Sequence, residues 1–173
     1  MTELLEVIGR DGKVKRVASR EEVHSKGLLH KVEHVLVFNR KGELYLQKRG
    51  ARLELFPGMW ESSSSGHVGA GETFEAAAAR ELKEEIGLSA RLQKLFDIRM
   101  RHRWRNFREN TVARVFKVVT DTQPRPTPVE TSGGKWVSLE ELNAMIRRGD
   151  KVTPSLQKIF ARGKKLNLFK PEN

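Results

Sequence analysis

Three glutamates, Glu81, Glu84 and Glu85, lie within five residues of one another, beside Arg80 and Lys83. On an α-helix, which advances about 100° per residue, Glu84 falls at about −60° and Glu85 at about +40° from Glu81, so three carboxylates share an arc of roughly 100°. Like charges four residues apart destabilise a helix by roughly 0.2–0.5 kcal/mol, so pairing Glu81 with Glu85 is a local cost unless a cation offsets it. Hard oxygen donors of this kind suit Mg2+, with Mn2+ as the alternative. A solvated charged face neutralised by Arg80 and Lys83 would carry the same cluster without any chemistry, so the neighbouring residues decide.

Those neighbours look built to hold the cluster still. The turn Gly66-His67-Val68-Gly69-Ala70-Gly71 offers backbone carbonyls and N–H groups, Thr73 stands as an N-cap, and Gly87 stands at the stop position of a helix over residues 74–86. Within it Phe74, Ala78, Leu82 and Ile86 form a four-residue-spaced apolar row that fixes one face against a sheet. A helix anchored in this way holds its ligands in place.

The remaining elements follow from the same rules. Residues 4–17 read as a β-hairpin around Asp11-Gly12, and a short polar link follows. Strands are expected at Val32 to Phe38 and Glu43 to Lys48, where Leu44 and Leu46 alternate with Tyr45 and Gln47; residues 50–71, rich in Gly, Ser and Pro, read as loop. Leu92 to Met100 and Thr111 to Val119 read as strands separated by a basic stretch, residues 101–108. Three prolines make 122–128 a loop, and a short strand at Lys135 to Val137 leads into a capping box at Ser138 that opens a helix closed by Gly149. Thr153-Pro154 opens a last helix ending near Gly163, with a frayed basic tail from Lys164. Strands interleaved with helices give the fold class α/β (α+β), a mixed central sheet covered by helices in a single domain over residues 1–173.

Composition narrows the functional classes. A 38% hydrophobic and 32% charged chain without a long apolar run reads as a globular protein with no membrane partner, and with no leader visible the cytoplasm is the expected location. The absence of cysteine removes disulfides, thiolate metal sites and thiol nucleophiles. Lys and Arg outnumber Asp and Glu by 33 to 22, which favours anionic partners: nucleotides, diphosphates or nucleic acid.

Gly66, Glu72, Arg80, Glu81, Leu82, Glu84, Glu85, Gly87 and Leu88 match every fixed position of the Nudix box, and the chain therefore resembles the Nudix hydrolases. The resemblance implies a Nudix-type α/β/α sandwich with an N-terminal β-hairpin. It also implies metal ligation by the Gly66 carbonyl, Glu81, Glu84 and Glu85, a catalytic group of Arg80, Glu81 and Glu84 in which Arg80 orients Glu81, and a structural role for Glu72. The implied reaction is attack of water on one phosphorus of a small anionic diphosphate, with a divalent cation neutralising the developing charge. The proton acceptor is Glu81 or a carboxylate outside the box.

Outside the box, Gln47-Lys48-Arg49, Pro57-Gly58-Met59-Trp60 and Ser65-Gly66-His67 resemble the branch that includes isopentenyl-diphosphate isomerase. That enzyme uses a cysteine directly before the box glycine and a later glutamate for proton transfer; here Ser65 and Thr111 stand at those places, which argues against isomerisation. His24, His30 and His67 resemble the isomerase's metal histidines, but the first two stand one residue closer together, and they are read as ordinary hydrogen-bonded surface or loop residues. Lys48, Arg49, His67 and Arg103 are the candidate substrate contacts. The arginines of 99–108, interleaved with Trp104 and Phe107, keep RNA contact open as an alternative partner, and a homodimer is compatible with the sequence.

Overall fold

A computed structural model describes residues 2–128 and 130–169. The N-terminal hairpin pairs β1 (Leu4–Ile8) with β2 (Val14–Ser19), and Gly12 supplies the positive φ of 76° that its turn requires. The link after it is not irregular: Arg20–Lys26 form α1, capped by the Ser19 side chain accepting the Glu22 N–H and closed by left-handed Gly27. Seven residues are too few to display a helical period, which is why this helix escapes a pattern reading. Tertiary packing holds it, since Val23 is buried with Leu5, Val7 and Ala18.

The main sheet is organised around β3 (His30–Phe38), paired in parallel along its length with β8 (Phe107–Val119). On its other side β3 meets β4 (Leu44–Arg49) only at Phe38 and Leu44; beyond that point the strands part, and β6 (Ser64–His67) pairs with β3 across residues 32–35. β5 (Trp60–Glu61) and β9 (Thr131–Val137) flank β4, and β7 (Gln93–Trp104) pairs with β8. One parallel pair among antiparallel ones makes the sheet mixed, as expected.

Several local expectations need correction. The stretch 50–71 contains β5 and β6, two strands of Trp, Glu, Ser, Gly and His whose pairing is imposed by β4 and β3 rather than by propensity. The basic stretch is no break either. β7 and β8 run through it as an antiparallel ribbon, turning at Arg105-Asn106 with Arg105 at φ 52°. In β4 the alternation holds, Leu44 and Leu46 joining one core cluster and Tyr45 the other, and Gln47 is buried as well because both faces of the strand are covered.

α2 (Phe74–Ile86) covers one face of the sheet, where Ala78, Leu82 and Ile86 pack with Val35, Val37, Phe116 and Val118. The opposite face is covered by α3 (Leu139–Arg148) and α4 (Pro154–Lys165), whose Leu142, Met145, Leu156 and Ile159 meet Leu36, Leu44, Leu46 and Val115. The result is the expected α/β/α sandwich. The tail is better fixed than expected, since α4 continues to Lys165 and the Phe169 ring stacks on Phe160, with centroids 5.9 Å apart; residues 170–173 lie outside the described part. No helix among the described residues is long and apolar enough to cross a membrane.

Candidate active site

α2 is set by its ends and its underside. Thr73 Oγ1 accepts the Ala76 N–H, Gly87 closes the helix in the left-handed conformation, and the buried row fixes its rotation. The opposite edge then looks toward β6 and a cavity of 710 Å³ lined in part by Gly66, Glu72, Arg80, Glu81, Glu84 and Glu85.

Arg80 organises this edge. Its guanidinium binds both oxygens of Glu72 at 3.0 Å, hydrogen-bonds Glu81 Oε1, and donates to the His67 carbonyl at 3.2 Å. Glu72 in turn accepts the Gly69 N–H at 3.0 Å, which ties the glycine turn to the helix. A Cβ at Gly66 would overlap the Glu81 side chain, so glycine at this position lets the Glu81 carboxylate lie where it does.

Glu85 is buried, and its Oε2 accepts Gln47 Nε2 at 2.8 Å and the Ser65 N–H at 3.0 Å. Burial, then the charge of Glu81, pushes its carboxyl up to about 8. Burial likewise raises Glu81 to about 7, against the pull of Arg80. Fully buried Glu33 on β3 faces the same group, and burial with the charges of Glu85 and Glu81 holds it well above the usual carboxylate range. Acids forced into proximity in this way are relieved by a cation among them, so the donor set fits a hard divalent ion.

The carboxylate group that could hold an ion is Glu81, Glu85 and Glu130, with ligand atoms within 4.8 Å of one another. Glu130, in the loop before β9, carries no sequence pattern that would mark it. Glu84 lines the cavity, but its side chain is 58% exposed and stands 3.4 Å from Arg80. Glu33 was legible in principle, as a lone acid inside a buried apolar run.

A second group borders the same cavity through His67 and Glu109. Far from being surface residues, His24 and His30 are 1% and 0% exposed, and with His67 and Glu109 they form a cluster that could hold a metal. His30 Nδ1 is engaged by the Leu28 carbonyl at 2.9 Å and so carries the ring proton, which leaves a bare Nε2 3.9 Å from Glu109 and without a partner. His24 Nε2 and His67 Nε2 approach to 3.1 Å, and His67 Nδ1 stands 3.3 Å from Glu3 at the start of the chain. Lone pairs and carboxylate oxygens facing one another across a buried space fit a cation between them. Burial, then the neighbouring charge of His67, lowers His30 to about 4.

Of the candidate substrate contacts, Arg49 and His67 line the cavity. Lys48 instead lies over the Trp60 ring at 5.7 Å, and Arg103 is exposed on the β7–β8 ribbon. Ser65 and Thr111, which the resemblance sets at the isomerase's proton-transfer places, both line the cavity.

A family model for the NUDIX domain matches residues 29–156. An isopentenyl-diphosphate Delta-isomerase 2 of Photorhabdus laumondii is 35% identical over 154 residues, covering 88% of this chain and 86% of that protein. An uncharacterised Nudix hydrolase of Listeria innocua is 46% identical over 70 residues, 40% of this chain and 41% of that protein. Among solved structures, DR0079 from Deinococcus radiodurans superposes with a TM-score of 0.80 at 23% identity, covering 92% of this chain and 98% of that one.

Proposed function

The chain belongs to the Nudix family, and from that membership and its cavity we propose that it hydrolyses the diphosphate linkage of a nucleoside diphosphate derivative or similar small phosphorylated metabolite, with Mg2+ or Mn2+. The observation that carries this reading is the convergence of Glu81, Glu85 and Glu130 at a cavity that also receives Arg49. Glu81, Glu85 and Glu130 would hold the cation, with the Gly66 carbonyl and Glu84 adjoining. Bound there, it supplies charge neutralisation at the attacked phosphoryl group and lowers the pKa of water.

The chain's own groups do the rest. Arg80, locked on Glu72, fixes the direction of Glu81. Arg49 offers a guanidinium to phosphate oxygens, its Nε anchored on the Leu55 carbonyl at 2.9 Å. Glu130, the one of these three carboxylates outside the box, would also accept the proton of the attacking water. The test is Mg2+-dependent phosphate or monophosphate release from a panel of nucleoside di- and triphosphates, dinucleotides, nucleotide sugars and coenzyme A, comparing wild type with Glu81→Gln. Turnover lost in the variant supports the reading; silence across the panel by a folded, Mg2+-binding protein overturns it.

The isomerase reading has two observations in its favour: the 35% identity to an isopentenyl-diphosphate Delta-isomerase 2, and the cluster of His24, His30, His67 and Glu109, which we propose takes a second divalent cation. Against it stand Ser65 and Thr111, since neither a serine hydroxyl nor a threonine hydroxyl exchanges protons with a hydrocarbon near neutral pH. Isopentenyl diphosphate in D2O should therefore take up no deuterium, followed by proton NMR.

A further inference from the structure

A buried polar chain separate from both metal-type clusters ends at the same cavity. Side chains alternate along β3, so His34 points to the opposite face from Glu33 and lines the cavity with Val32, Leu55, Phe56 and Met100. β5 presents Glu61, and Ser62 follows it; His34, Glu61 and Ser62 are 5%, 3% and 0% exposed.

Their hydrogen bonds link the ring to the Glu61 carboxylate through Ser62. Ser62 donates twice to Glu61 Oε1, from its N–H at 2.9 Å and from its hydroxyl at 3.2 Å. With the hydroxyl proton engaged there, the 2.8 Å contact between Ser62 Oγ and His34 Nδ1 takes its proton from the ring. Burial lowers the His34 pKa, so the ring is neutral near pH 7. With the Ser62 proton on Glu61, His34 is the Nδ1–H tautomer, and its Nε2 is a bare acceptor with no hydrogen-bond partner among the described residues. Arg49, whose charge bears on the ring, is turned to the Leu55 carbonyl.

We propose that His34 Nε2 is a substrate-binding acceptor that takes a hydroxyl of the organic group joined to the diphosphate, so that the cavity selects ribosyl- or glycosyl-type diphosphates over hydrocarbon ones. A bare nitrogen repels phosphate oxygens, which offer only lone pairs, and gains nothing from an isoprenoid chain. A site built to pair with a hydroxyl discriminates strongly against an analogue that lacks it, because the buried acceptor is then left unsatisfied. Glu61 and Ser62 act through the ring as positioning residues. The inference rests on the diphosphate reading above and names the chemistry of the group attached.

The test uses non-hydrolysable phosphonates with Mg2+ and calorimetry: methylenediphosphonate as the bare core, α,β-methylene-ADP and a glucosyl methylenediphosphonate as hydroxyl-bearing ligands, and an isopentenyl methylenediphosphonate. Wild type should bind one of the hydroxyl-bearing ligands at least about tenfold more tightly than the isopentenyl one. His34→Phe should lose about tenfold on that ligand with the core affinity unchanged, and His34→Gln, which keeps an acceptor, should recover part of it. In nitrogen-15 NMR the free protein should show a protonated His34 Nδ1 and an unprotonated Nε2 that shifts when the hydroxyl ligand binds. An unchanged affinity in His34→Phe, an equal loss on core and hydroxyl ligand, or an Nε2–H tautomer would overturn the proposal while leaving the diphosphate reading standing. A wild type that binds no core with Mg2+ would overturn both.

Discussion

Removing divalent cations and raising the pH should destabilise this protein in a way that reports directly on the carboxylate cluster. Glu85 is 5% exposed with its carboxyl at about 8, against 4.5 for an ordinary glutamate, so across that interval the folded state retains a proton that the unfolded chain has released. Stability falls with pH wherever the folded state binds more protons, so the sign is a loss from 4.5 upward that is complete just above pH 8. The clean window is pH 7 to 9. Below it the lowered pKa of His30, about 4, acts in the opposite direction, because an unfolded histidine still binds protons up to about 6.5. Within the window the linkage relation gives a loss of roughly 1 kcal/mol from Glu85, and Glu81, at about 7, adds a smaller loss of the same sign. Urea unfolding in EDTA at pH 7, 8 and 9 measures this, with Glu85→Gln as the variant that should reduce the slope; Glu33, also held well above the usual range by burial and by the charges of Glu85 and Glu81, adds in the same direction. Mg2+ should reverse the trend, since binding displaces these protons and at a hundredfold excess over its Kd stabilises the folded state by about 2.7 kcal/mol. Stability in EDTA that is flat or rising between pH 7 and 9, or a Mg2+ effect that does not grow with pH, would refute the account of a cluster strained by its own charge.

Other perturbations separate the parts of the site. Gly66→Ala should displace the Glu81 carboxylate, lowering hydrolysis at least about tenfold in a phosphate-release assay while thermal unfolding shifts by only a few degrees, because the obstructing atoms belong to the end of a side chain that can swing aside. Arg80→Lys replaces a fork that grips both oxygens of Glu72 with a single point charge; roughly 1–3 kcal/mol of stability should go, measured by urea unfolding, together with most of the turnover. Leu82→Ala opens the contact between α2 and the sheet at a 1% exposed position and should cost about 2–5 kcal/mol, seen as a lowered unfolding midpoint.

What could be read from the sequence is what local physics writes into it. Thr73, the apolar row through Ala78, Leu82 and Ile86, and Gly87 determine α2 within fifteen residues, and so local sequence alone puts Arg80, Glu81, Glu84 and Glu85 on one helix. β5 and β6 were invisible because Trp60-Glu61 and Ser64 to His67 become strands only where β4 and β3 diverge and leave backbone groups to pair. Glu130 was invisible for a related reason, since its place beside Glu81 and Glu85 comes from a loop return distant in sequence. The most instructive pair is Glu33 and His34. Adjacent in the chain, they serve opposite faces of one strand, Glu33 toward the carboxylates of α2 and His34 toward Ser62 and the cavity. Pairing of Glu33 with Gly66 and of His34 with Ser65 fixes that division, and a slip of one residue would exchange the two faces. On the proposed function, the register of β3 against β6 therefore does more than close the sheet: it would set the acid on the cation side and the neutral acceptor on the side of the organic group, so that both ends of a diphosphate ester would be read from one pair of strands.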